Sequence, residues 1–156
     1  MALCALCAAV WRCKERLIGS PAMAISIPDT HTNIVSWDTK SFAHVATVGP
    51  KGEPHSSPLW FAWDGTYLLF TIDEESQRTK NLRRNPDVAV SVIDPNDPYR
   101  YLEFRGQVQT IEPDTDDAFL NRLSEKYLDV DVYPWKKSWE TLIVVKVLPN
   151  KMFGAA

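Results

Sequence analysis

Arg78, Thr79 and Lys80, with Arg83 and Arg84 close behind, place four cations and no acid in residues 78–84 of a chain whose formal net charge is -3. A short helical turn that carries Arg, Lys and a hydroxyl beside free backbone N–H groups is suited to an anion such as a phosphate. A solvated basic helix face has the same composition, so the flanking residues decide between the two. Upstream stands Ser57-Pro58-Leu59-Trp60, where Pro58 removes a ladder donor and so bulges its strand or sets it at an edge. Downstream, Asn85-Pro86 stops the turn, and a nearly continuous apolar run comes next. A basic turn between a proline-marked strand and a buried one has the position a phosphate site requires.

Other chemistry is sparse. The six glycines, at 19, 49, 52, 65, 106 and 154, form neither a G-x-G-x-x-G nor a Walker loop. His31, His44 and His55 lack metal-ligand spacing, and no serine sits in a nucleophile elbow. Cys4, Cys7 and Cys13 all fall in the first thirteen residues, which leaves no disulfide framework and no metal site to expect. Glu112, Asp114, Asp116 and Asp117 read as helix capping. His55 is either a proton donor to a substrate or an exposed strand histidine. With no side-chain machinery in view, a bound cofactor is expected to carry the chemistry.

The elements that must position these residues are short and firmly punctuated. At 156 residues, 45% hydrophobic and 24% charged, with eleven prolines, the composition is that of one β-rich domain. A sequence pI near 5.6 argues against a general nucleic-acid binder. Strands are expected at residues 42–48, 55–63, 67–72, 88–93, 99–111 and 142–148, with a further short one at 151–154. Asp64-Gly65 marks a hairpin, and Gly106 a kink or bulge. Asp114 is expected to cap a helix with Asp117 at its third position and Phe119, Leu120, Leu123 and Tyr127 as its apolar stripe. The fold class is mainly β (α+β), a small barrel of six to seven strands with two or three short helices. Residues 1–22 differ in character from the rest of the chain and are expected to be a non-native or disordered extension, leaving 23–156 as the domain. The opening apolar run carries its positive charges after it rather than before it, and it is too short to span a bilayer. The expected location is the cytoplasm, with no membrane partner.

Five segments, in order, resemble one known family. Phe42-Ala43-His44-Val45-Ala46-Thr47-Val48-Gly49-Pro50-Lys51-Gly52 is similar to its opening strand and turn, and Ser57-Pro58-Leu59-Trp60-Phe61 to its second strand. Arg78-Thr79-Lys80-Asn81-Leu82-Arg83-Arg84-Asn85-Pro86 is similar to its phosphate turn. Asp94-Pro95 through Arg105-Gly106, and Lys126-Tyr127-Leu128 with Tyr133-Pro134-Trp135, complete the set. The family is the pyridoxamine 5'-phosphate oxidase-like split β-barrel flavoproteins, and the nearest branch is the small enzymes that use the deazaflavin coenzyme F420. The resemblance covers about residues 27–153. It implies a homodimer with two cofactors at the subunit interface. It also implies that Ser57, Pro58, Leu59 and Trp60 line the ring and ribityl chain while Arg78, Thr79 and Lys80 hold the phosphate. Relatives often carry Lys where Arg78 stands. Arg83 and Arg84 bind the anionic tail of the deazaflavin, pair with glutamates or face water.

The expected function is therefore a reductase that passes hydride from reduced coenzyme F420 to an electron-poor small molecule. The same fold with FMN, as an oxidase or reductase, is the alternative. A non-catalytic cofactor-binding protein is a third reading. A small nucleic-acid-binding barrel, with Tyr99, Tyr101 and Phe104 stacking beside Arg100 and Arg105, is a fourth that the acidic total charge disfavours.

Overall fold

The computed structural model describes residues 25–155; the expected extension at 1–22 and its cysteines lie outside them. A 3-10 turn at Asp29–His31 leads into α1 (Thr32–Val35). Next come β1 (Ala43–Val48), β2 (Pro54–Leu59), β3 (Ala62–Trp63), β4 (Leu68–Asp73), α2 (Gln77–Arg84), β5 (Asp87–Asp94), β6 (Asp97–Pro113), α3 (Ala118–Leu128) and β7 (Leu142–Ala155). The seven strands form one antiparallel sheet in the order β2-β1-β5-β6-β7-β4-β3. The expected mainly β barrel of six to seven strands with two or three short helices is found, as a seven-stranded half-barrel with three.

Strand alternation produces the core. In β1, Ala43, Val45 and Thr47 turn inward, and in β5, Val88, Val90 and Val92 do the same. Phe61, Phe70 and Phe104 fill the middle, with Leu68, Leu82 and Leu102 around them. Each such side chain contributes about 1.5–3 kcal/mol through burial.

The sheet order carries a topological surprise. Residues 55–63, expected as one strand, divide at Trp60 and Phe61. The two pieces, β2 and β3, lie at opposite edges of the sheet. Three residue steps from Leu59 to Ala62 span about 10 Å at most. The sheet must therefore curl until its two edges nearly meet, and that curl makes it a half-barrel. Phe61 and Ala62 are both buried, which breaks the alternation a single strand would keep.

Three smaller differences arise from local geometry. The expected loop at 94–98 tightens, so that Asp94 already pairs with Asp97. The last two expected strands are one, β7, whose register against β6 shifts at Arg105/Gly106. There a Cβ on Gly106 would stand 2.2 Å from the Leu148 carbonyl oxygen, so only glycine permits the approach. Finally, Asp114 caps α3 from further back than expected. Its carboxylate accepts from the backbone N–H groups of Phe119 and Leu120, while Asp116 and Asp117 take left-handed φ values of 57° and 55°. Asp117 pairs instead with Lys136 at 2.5 Å, and Glu112 with Lys146 at 3.4 Å.

Candidate functional site

Helix α2 begins where Ser76 accepts a hydrogen bond from the Thr79 backbone N–H at 3.2 Å. It ends at Asn85, which is extended ahead of Pro86. Leu82 packs into the core, as expected, and Thr79 is buried beside it. The Thr79 hydroxyl donates to the Asp73 carbonyl at 2.7 Å and so ties the helix to the end of β4. Asn81, a residue that sequence reasoning passed over, is also buried. It takes a hydrogen bond from Gln77 and donates to the Thr47 hydroxyl at 3.1 Å, which fixes α2 across β1.

That docking brings two of the expected site residues together. Arg78 Nη2 donates to Ser57 Oγ of β2. Arg78 is half-buried, and desolvation lowers its pKa from the ordinary arginine value. Its Nε is buried with no hydrogen-bond partner, and no carboxylate pairs with it among the described residues. His55 lies on the same face of β2 as Ser57, opposite Thr47 in the ladder, and its Nδ1 is likewise buried without a partner. The lip between α2 and β2 thus holds a desolvated cation, a hydroxyl and two unsatisfied ring or guanidinium nitrogens. Buried donors without acceptors are costly, and an anion bound at the lip would supply the acceptors. A phosphate fits this donor set.

The remaining expected residues are placed differently. Leu59 shares the face of Ser57, whereas Pro58 points to the other, exposed face of β2. Prolines are tolerated where the missing N–H faces away from the ladder, and β2 is an edge strand. Trp60 leaves the strand altogether and stacks on Tyr127, with centroids 5.0 Å apart and planes at 1°. Lys80 is exposed and 3.6 Å from Glu75, and Arg83 is paired with Glu74 at 2.7 Å. Arg84 Nη2 donates to the Val48 carbonyl. Of the possible stacking platform, Phe104 is fully buried, Arg105 is paired with Glu103, and Arg100 is tied to Asp94 and Asn33.

Sequence reasoning also missed the lock on the crossing between β2 and β3. The Tyr127 hydroxyl donates to the Ser41 carbonyl at 2.5 Å and accepts from the Phe61 backbone N–H at 3.2 Å. Lys126 Nζ reaches the Phe61 carbonyl at 3.3 Å and lies over the rings of Phe61, Tyr127 and Trp37. Burial pushes Lys126 down to about 8, partly opposed by Asp38, and pushes Tyr127 up to about 12. The one available signal was Lys126, a charged residue beside the apolar stripe of α3.

Among the described residues no group of three or more His, Cys, Asp or Glu is placed to hold a metal ion. No helix among them is long and apolar enough to cross a membrane.

Comparison with known proteins agrees with this fold. A solved structure named F420 reductase is 37% identical over 81% of this chain and 98% of its own, with a TM-score of 0.73. A conserved hypothetical protein of Mycobacterium tuberculosis is 21% identical over 88% of this chain and 89% of its own, with a TM-score of 0.63. A putative pyridoxamine 5'-phosphate oxidase of Listeria innocua is 24% identical over 72% and 86%, with a TM-score of 0.53. No curated protein sequence matches. The family model described as pyridoxamine 5'-phosphate oxidase matches residues 33–147, and the chain belongs to that family.

Proposed function

We propose that the protein is a cytoplasmic oxidoreductase that binds a phosphate-bearing flavin or deazaflavin at the lip between α2 and β2, and that the cofactor is coenzyme F420. One observation carries the reading: Arg78 is a desolvated cation on Ser57 with no carboxylate partner and a buried, unsatisfied Nε. Such a group is stable next to a bound anion and costly without one. When bound, the cofactor supplies hydride transfer, here to an electron-poor small molecule.

The chain's own residues bind and orient. Arg78, with Ser57 and His55 beside it, would take the phosphate, and Leu59 would form part of the wall for the ring. Thr79 acts by seating α2 on β4 through its hydroxyl, which is thereby engaged with the Asp73 carbonyl rather than with the phosphate. Lys80 is exposed and would contribute long-range attraction.

FMN is the second reading. Charge beyond the grip does not separate the two, because Lys80 and Arg83 are paired with glutamates and Arg84 holds a carbonyl. The preference for the deazaflavin rests on the 37% identical structure named F420 reductase. A homodimer is part of the proposal. Supporting it, a hollow of about 420 Å³ with Ala46, Val48 and Ala89 on its floor and Asp87, Arg105 and Lys151 among its lining offers a surface for a second copy.

Titration of the purified protein with FMN and with coenzyme F420, each followed by fluorescence quenching, tests the reading. Binding of the deazaflavin at least tenfold tighter than FMN is the expected result. Binding of neither overturns the proposal.

A further inference from the structure

One cavity adjoins the anion lip without sharing its charge. Trp60 in the crossing, Thr71 and Asp73 of β4, Leu120 of α3, and Tyr133 and Glu140 ahead of β7 line an open hollow of about 260 Å³. Pockets for drug-sized ligands run to about 300–1,000 Å³. This one is sized for one or two fused rings rather than a tricyclic ring with its phosphate chain.

Two aromatic side chains, Trp60 and Tyr133, stand among its aliphatic lining residues Ile72, Leu120 and Leu142. Trp60, backed by Tyr127, meets Tyr133 edge-on at 5.7 Å and 90°. Its charged lining residues, Asp73 and Glu140, are both carboxylates, and no lysine or arginine among the described residues lines it. Each carboxylate spends one oxygen on a backbone N–H: Asp73 Oδ1 accepts from Glu75 at 2.7 Å, and Glu140 Oε2 from Lys137 at 2.9 Å. The cations close by are engaged elsewhere, Lys80 with Glu75, Arg83 with Glu74 and Lys136 with Asp117. Thr71 Oγ1, also on this wall, is buried and has no hydrogen-bond partner.

We propose that this cavity takes a planar organic cation of one or two rings, an iminium or N-alkylated heteroaromatic, as the substrate of the site. Aromatic faces attract such a cation through the ring quadrupole. The two carboxylates add a field of one sign in a partly desolvated space, which attracts a cation and repels a carboxylate or phosphate. The cavity and the lip are linked at Asp73, whose carbonyl holds Thr79 next to Arg78, so the anionic cofactor and the cationic substrate would each be drawn to its own side of that contact. The inference rests on the proposed function only in calling this occupant a substrate.

Calorimetric titration of the full chain at pH 8 with N-methylquinolinium, neutral quinoline and 1-naphthoate tests it. The cation is expected to bind at least tenfold tighter than quinoline, and the naphthoate not at all. In Asp73→Asn/Glu140→Gln, which keeps both backbone contacts, the preference should fall to within threefold with quinoline affinity unchanged. Glu140→Gln alone, in the loop ahead of β7, serves if the double variant fails to fold, and should lose at least threefold of the preference. Equal binding of the cation and quinoline by the unaltered protein, or a preference that survives these substitutions, overturns the inference. Cofactor titrations run alongside separate the two claims. Cofactor binding without cation preference overturns this inference alone, whereas cation preference without cofactor binding overturns the proposed function and supports the cavity's specificity.

Discussion

Arg78 and Lys126 are both cations held away from bulk water without an ion-pair partner, and their surroundings treat them in opposite ways. Lys126, in α3, has its ammonium on the Phe61 carbonyl and over three aromatic rings. Arg78, in α2, has one hydroxyl contact and a buried nitrogen with nothing to bond. The first environment is complete and the second lacks an acceptor. A satisfied buried cation belongs to the fold, whereas an unsatisfied one marks a place where something else must bind.

Substitutions can break or sharpen that contrast. The largest effect should come from Tyr127→Phe. It removes the hydroxyl that serves both Phe61 N–H and the Ser41 carbonyl. Urea unfolding should show a loss of about 3 kcal/mol, from two buried backbone groups left unpaired. A loss below about 1 kcal/mol would mean that the crossing is held by packing alone.

Next in size is a pH effect at Lys126. Its folded-state value of about 8 lies below that of unfolded lysine, about 10.4. Between those values the unfolded chain binds more protons, so stability rises with pH across that window. Below about pH 8 both states are protonated and the full cost of burying the charge is present. The gain should be about 2–3 kcal/mol and absent from Lys126→Met. Tyr127, pushed up to about 12, acts in the opposite sense: above about pH 10 the folded state binds more protons and stability falls. Equilibrium unfolding at a series of pH values should therefore place the maximum near pH 10 in the unaltered protein.

Arg78→Ala should weaken cofactor binding at least tenfold, about 1.4 kcal/mol, while the unfolding free energy of the cofactor-free protein falls by no more than about 0.5 kcal/mol. A large loss of stability with unchanged affinity would assign Arg78 to the fold and erase the contrast with Lys126. Smallest of all, Arg83→Ala breaks only the exposed pair with Glu74 and should change either quantity by less than about 0.5 kcal/mol.

Local chemistry was readable from the residues themselves. Ser76 caps α2, Asn85-Pro86 ends it, and Asp64 with Gly65 turns the hairpin. There the Asp64 carboxylate takes the N–H groups of Thr66 and Tyr67, and Gly65 has a φ of +97°. Leu82 and the strand alternation located the core. The crossing at Trp60 and Phe61 was not readable. Leu59, Phe61 and Trp63 keep period two through the break, and only the pairing partners reveal that the two pieces lie at opposite edges. The roles of Arg83 and Arg84 were hidden for a related reason. Their partners, Glu74 and the Val48 carbonyl, are set by where α2 docks, which no local pattern encodes. Asn81 belongs to the same class, since its value depends on Thr47, thirty-four positions away.

The crossing has a consequence for how the molecule is assembled. No ladder in the sheet includes Trp60 or Phe61, and the β1–β5 ladder alone joins a strand before the crossing to one after it. A cut in the backbone at this point would leave all six strand pairings intact and remove only the tether that holds the curl. During folding, β2 and β3 are never far apart, but the Phe61 N–H meets the Tyr127 hydroxyl only across sixty-six positions, a closure with a high loop-entropy cost, whereas β5 and β6 are joined by a tight turn. Hydrogen exchange should therefore find the Phe61 amide protected late in refolding, after the ladder amides of β5 and β6.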